Sequence, residues 1–342
     1  VLRGRTCVAV LLVVALTSIP TTVAIGAEVN LYSARKEKLI KPLLDRFTKE
    51  TGITVNLLTG RADALLKRLQ AEGANSRADV FITVDVGRLH RARVAASLQP
   101  IKTPVLNQAV PQSYRDPDGY WYGLSIRARP IMYVKSRVKP SELSTYEDLG
   151  NAKWKGRICI RSSNNIYNQS LVASMIIANG EARAETWAKK LVANFARSPK
   201  GGDRDQIKAA AAGQCDIAIA NTYYLGAMLT GKDEAQRQAA EKLAIFWPNQ
   251  SERGVHVNIS GAGITKSAKH KQNAIRLLEF LVSDSAQQWY AEANNEYPVR
   301  PGVARSATVR AWGDFKADSL GLAELGKYNA NALKLMDRAG WK

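Results

Sequence analysis

The sequence predicts an α/β protein of two lobes with a ligand cleft between them, and three observations lead there. Strand-like and helix-like stretches alternate as β-α-β-α-β over residues 28–84, the pattern of a parallel sheet with helices on its faces. A second α/β unit runs through residues 157–221. Between the two units lie extended segments, residues 124–134 and 256–266, that can carry the chain from one lobe to the other and back. At 342 residues the chain has the length for about two domains, and 46% hydrophobic content is enough to give each a core.

The elements follow in order. EVNLYS (28–33) reads as the first strand, and the next stretch repeats Leu39, Ile40, Leu43, Leu44 and Phe47 at helical spacing up to Gly52. ITVNLLTG (53–60) is the second strand, a helix follows with Leu65, Leu66 and Leu69, and DVFITV (79–84) is the third. Residues 107–123, rich in Pro, Asp, Gly and aromatics, read as loop. LSIRARPIMYV (124–134) then crosses to the second unit: strand RICIRSS (157–163), a helical stretch over about 170–195, loop SPKGGD, a short Ala-rich helix, and strand CDIAIAN (215–221). WPNQSERG is loop, HVNISGAGITK (256–266) carries the chain back, and Leu- and Ala-rich helices finish it. This divides the chain into a leader over 1–27, a first lobe of 28–127 with about 251–300, and a second of 128–250 with about 301–342.

The leader reads as a signal peptide. Arg3 and Arg5 precede a mostly apolar run over residues 8–19, too short for a comfortable span, and small residues in VAIGAE place cleavage near residue 27. An uncleaved N-terminal anchor is the competing reading. Export would put the mature protein in the periplasm. Cys7 precedes the apolar run and does not suit lipid attachment. Cys159 and Cys215 would be left in an oxidising compartment, which permits a disulfide; two free buried thiols are the alternative.

Lys plus Arg is 49 against 30 Asp plus Glu, a net charge of +19 that the loss of Arg3 and Arg5 lowers by two. The basic residues are scattered over helices rather than gathered into a stripe with aromatics, so nucleic acid is not expected as a partner.

In open α/β sheets ligands bind beyond the carboxyl ends of strands. Those ends carry Ala34, Arg35, Lys36 and Glu37 after the first strand, Asn164, Asn165 and Tyr167 after RICIRSS, and Thr222, Tyr223 and Tyr224 after CDIAIAN. Arg127 and Arg129 lie on the crossover. An arbitrary Tyr-Tyr pair is more often core; its place at a strand end, with a third tyrosine one strand earlier, points to the cleft. Free phenolate is scarce near neutral pH, but a highly charged hard cation stabilises it. Ferric iron (Fe3+) wants hard anionic oxygen, whereas zinc or copper would draw on His and Cys. His90, His256 and His270 have no ligand spacing and read as surface or structural residues. Three phenolates leave a six-coordinate ion unfilled, and arginine has no lone pair to give. It can hold a bidentate oxyanion such as carbonate or bicarbonate, which makes Arg35 and Arg127 candidate anion holders; ordinary salt bridges are the alternative for each.

The segments NLYSARKEKLI, FTKETGITV, ADVFITVD, YGLSIRARPI, RSSNNIYNQSL, DIAIANTYYLG, HVNISGAGI and EYPVRPGV together resemble the periplasmic ferric-iron-binding proteins of bacterial ABC importers, sometimes called bacterial transferrins. The resemblance covers nearly the whole mature chain. IANTYYLG with NNIYNQS is its specific part, since ETGITV and ADVF also occur in binding proteins for other solutes. It implies two lobes that close on the ligand, as hinged binding proteins do. By the same likeness Tyr167, Tyr223 and Tyr224 would be iron ligands, Arg127 a cleft arginine and Arg35 the cradle of a synergistic carbonate-like anion. A monomer that hands its cargo to an inner-membrane ABC permease is implied as well. Many members carry His, or His then Tyr, where this chain has Lys36 and Glu37. That vacancy would fall to an anion and water, or to Glu37 or Asp63; Asp63 could equally cap the helix after Gly60.

Two other functions compete. A binding protein of the same fold for an oxyanion or small organic anion suits the arginines but leaves the Tyr-Tyr pair without a role. A secreted hydrolase has nothing in its favour: no Gly-x-Ser-x-Gly, His-Glu-x-x-His or P-loop is present.

Overall fold

The computed structural model describes residues 27–342, so the leader with Arg3, Arg5 and Cys7 lies outside the described residues. Strand β1 (Glu28–Ser33) buries Val29 and Leu31 completely and pairs in parallel with β2 (Thr54–Thr59) and β3 (Val80–Val84). The helix Glu37–Thr51 lays Ile40, Leu43, Leu44 and Phe47 against the core and ends at Gly52. The helix Ala62–Glu72 does the same with Leu65, Leu66 and Leu69. Each helix is therefore amphipathic at the spacing read from the sequence.

In the first sheet the expected parallel pattern holds for these three strands only. The long return strand β10 (Val257–Thr265) runs antiparallel to β3 on one side and to β4 (Leu98–Gln99) and β5 (Tyr122–Ala128) on the other. All nine of its residues are buried, as befits a strand in the middle of a covered sheet. The second sheet has the order β7-β8-β6-β9, with β6 (Ile131–Val134), β7 (Ile158–Cys159), β8 (Ile217–Ile219) and β9 (Leu243–Phe246). Only β7 and β8 in it are parallel.

The two lobes are joined where β5 leads through Arg129 and Pro130 into β6, and where residues 247–256 lead from β9 to β10. These crossings are tied together. The Arg129 amide donates to the His256 carbonyl at 3.0 Å. The buried Tyr146 hydroxyl donates to the Arg129 carbonyl at 2.6 Å and accepts the His256 amide at 3.2 Å. The C-terminal helix Leu322–Arg338 packs against the helix Ile166–Asn179 of one lobe and the helix Val86–Val94 of the other, so it straddles both.

Three local expectations change. The helical stretch over 170–195 is two helices, Ile166–Asn179 and Glu181–Ala193, because Gly180 between them takes φ 79°, outside the helical region. The loop over 107–123 gives up its first three residues to a short helix, Pro104–Ala109, whose N-terminus is capped by the Thr103 hydroxyl accepting the Leu106 amide. The strand in RICIRSS shrinks to two residues, which pair with β8 on one side and make a single bridge from Ile158 to Phe195 on the other. Cys159, at the end of β7, and Cys215, two residues before β8, form a disulfide, with Cα atoms 5.9 Å apart and both residues buried.

Candidate functional site

Because β7 and β8 are parallel, their carboxyl ends share one edge of the second sheet. Past β7 the chain enters the helix Ile166–Asn179 with Tyr167 in its first turn. Past β8 it enters the helix Thr222–Leu229 with Tyr223 and Tyr224 in its first turn. The Tyr223 hydroxyl donates to the Tyr167 hydroxyl at 3.2 Å, and the Tyr223 and Tyr224 rings lie 4.3 Å apart between centroids. Three phenols predicted from strand ends thus converge at one place.

The surroundings of Tyr223 and Tyr224 keep those two phenols protonated while no cation is bound. Burial pushes the Tyr223 phenol well above its ordinary value, and the neighbouring Tyr167, Tyr224 and Asp203 add to that, with Arg127 opposing. Tyr224 is raised by burial, then by Tyr167 and Asp203. Neutral phenols this close are tolerable; three phenolates would need a strong positive centre among them.

The Arg127 guanidinium lies 5.4 Å from the Tyr167 ring centroid and donates to Ser260 Oγ at 2.9 Å and the Ile259 carbonyl at 2.6 Å. Arg35 reaches the same Ser260 Oγ, at 2.8 Å, and is ion-paired with Glu296. The two arginines predicted as anion holders therefore meet at one serine but differ in charge balance. Arg35 is neutralised by a buried carboxylate, while the acceptors of Arg127 are uncharged. Each keeps a buried Nε without an acceptor.

Glu37 and Asp63 are not brought to the tyrosines by any contact in the structure. Glu37 is exposed at the start of its helix. Asp63 pairs with Arg88 at 2.7 Å and Arg91 at 3.2 Å, and the Arg88 hydrogen bond holds its carboxyl below the usual range. Nor do the histidines join: His256 is buried on the return crossing, where burial and Arg129, Arg253 and Arg127 lower it to about 3. Among the described residues no three His, Cys, Asp or Glu side chains group to hold a metal ion.

A family model described as bacterial extracellular solute-binding protein matches residues 43–317. The chain belongs to that family. It is 51% identical to iron uptake protein A1 of Synechocystis sp. over 92% of this chain and 88% of the relative. It is 53% identical to a solved Trichodesmium protein named IdiA or FutA and described as in complex with iron and citrate ligands, with TM-score 0.90 over 92% of this chain and 100% of that one. A ferric binding protein from Campylobacter jejuni is 38% identical, with TM-score 0.88 over 92% and 100% of the two chains.

This solute-binding protein also has site-building residues that sequence reasoning left without a role. Arg129 is buried and donates to Asp203 and Asn221, each at 3.0 Å, and to Asn168 at 2.6 Å. Asn168 adjoins Tyr167, and Asn221 is the N-cap residue before Thr222, so one guanidinium holds both tyrosine-bearing helices. Asp203 answers its charge and also pairs with Arg161 at 2.7 Å. The only sequence signal was the position of Arg129 on the crossover; Asp203 looked like loop.

Proposed function

We propose that this protein captures ferric iron outside the cytoplasm and delivers it to an ABC-type importer in the inner membrane. The observation that carries the reading is the convergence of Tyr167, Tyr223 and Tyr224 at the carboxyl edge of parallel strands, in a chain about half identical to an iron uptake protein. Iron is the cargo, and the three tyrosines bind it as phenolates, each giving up its proton as the cation arrives. Periplasmic location rests on the leader-like N-terminus and on relatives such as the Fe(3+)-binding periplasmic protein of Serratia marcescens. Action as a monomer is part of the same reading.

The rest of the coordination shell falls to an oxyanion, carbonate or a carboxylate such as citrate, which supplies oxygen donors when bound. Arg127 suits it best, since it has an uncompensated charge beside Tyr167 and a free Nε. Arg35 contributes through Ser260, its own charge being met by Glu296. Glu37 and Asp63 stay outside the shell in this reading: one is exposed and the other is held by two arginines.

The test is equilibrium dialysis of the mature protein against ferric citrate, with metal analysis. One iron per chain, lost in the Tyr223→Phe/Tyr224→Phe double variant, supports the proposal. Equal retention by that folded variant would remove the tyrosines from the site.

A further inference from the structure

Both tyrosine-bearing helices touch the opposite lobe one helical turn after their tyrosine. On the first, Ser170 Oγ donates to the buried Asp85 at 2.7 Å. On the second, Gly226 lies against Asn295, which follows the helix Asp284–Asn294 of the other lobe. A Cβ at Gly226 would fall 2.7 Å from Asn295 Cβ and 2.9 Å from its Cγ, closer than real contacts allow. Asn295 is itself fixed. It takes φ 53° as the helix C-cap, its amide donates to the Tyr290 carbonyl, and its side chain donates to Thr230 at 3.3 Å.

The next residue, Glu296, pairs with Arg35, whose partner Ser260 also holds Arg127 beside Tyr167. Asn295 and Glu296 thus reach both sides of the site: one touches the helix of Tyr223 and Tyr224, the other pairs with Arg35, which shares Ser260 with the Arg127 that lies beside Tyr167. An approach this close is possible only because residue 226 has no side chain.

We propose that Gly226 and Asn295 are positioning residues whose contact sets the closed separation of the lobes and so how long the cargo is held. The inference rests on the ferric-iron reading. Opening by a few tenths of an ångström at this point would spread the Tyr223–Tyr224 helix from Arg127 without removing any ligand.

The experiment measures release of iron from the loaded full-length mature protein to an excess of a colourless chelator, in wild type, Asn295→Gly, Gly226→Ala and the double variant. Glycine accepts φ 53° without strain, so Asn295→Gly keeps the fold, and its release should speed up by about tenfold. Gly226→Ala should release faster still. The double variant, in which the new methyl meets no side chain, should release more slowly than the product of the two single effects predicts. Wild-type release from Asn295→Gly, or strictly multiplicative single effects, overturns the proposal. If Gly226→Ala does not fold, Asn295→Gly decides alone. Failure of the wild type to load iron would instead count against the ferric-iron reading.

Discussion

Tyr223 and Tyr167 meet hydroxyl to hydroxyl at 3.2 Å across 56 residues of chain, the same separation that the Cys159–Cys215 disulfide spans. Each cysteine lies eight residues before its tyrosine. The covalent link and the phenol pair therefore share one offset along the chain, three residues short of the β7–β8 register that sets Cys159 opposite Ala218. What brings the phenols together is that both tyrosine-bearing helices leave from the carboxyl ends of two paired parallel strands.

Replacing either phenol of that pair removes an oxygen with little change of volume. Tyr223→Phe should lower ferric affinity by at least about 100-fold, since the loss of even outer partners of a metal ligand commonly costs 10- to 100-fold. Stability should change by no more than about 1 kcal/mol, the worth of one ordinary hydrogen bond. Competition against a chelator and a urea melt measure the two. Tight binding in a folded Tyr223→Phe variant contradicts the ligand assignment.

Protons should leave as iron enters. Burial raises Tyr223 and Tyr224 above the ordinary phenol range, so both are protonated at neutral pH before loading. Each phenol that binds as phenolate releases one proton, and affinity must fall as the pH falls. Proton release per iron, followed in weakly buffered solution, should drop by one in Tyr224→Phe. An unchanged count excludes that residue as a phenolate ligand.

The two arginines should separate on charge balance. Arg35→Ala leaves Glu296 buried and unpaired, which should cost about 3–5 kcal/mol of stability. Arg127→Gln removes a charge that no carboxylate answers and should destabilise less, while abolishing any gain in iron affinity from bicarbonate or citrate. Loss of the anion effect in the Arg35 variant alone would move the anion to Arg35.

Reduction tests the strand link. Closing a loop of 56 residues restricts the unfolded chain by about 4 kcal/mol on the chain-entropy estimate. Urea unfolding after reduction and alkylation should show a loss of that order, with weaker iron binding as the two strand ends loosen. Equal stability with and without the bond would mean that strand pairing alone holds the register.

Much of this was legible in the sequence because it depends on short-range signals. Leu65, Leu66 and Leu69 repeat at helical spacing, and the strand-end rule points to Tyr167, Tyr223 and Tyr224, which the fold brings together. The antiparallel course of β10 was not, since HVNISGAGITK is apolar in a way that fits either direction. Gly180 broke a helix that its neighbours' composition would have continued. Glu296 was invisible as the partner of Arg35 because 261 residues separate them and nothing local marks a buried acid. Arg129 and Asp203 escaped for the same reason: their pairing exists only once two strands and a helix have come together.

Ferric iron held by tyrosinates should announce itself in a visible absorption titration of the mature protein with chelated ferric iron. A phenolate-to-iron charge-transfer band should saturate at one iron per chain and weaken in Tyr223→Phe and Tyr224→Phe. A folded protein that stays colourless through the titration would contradict it.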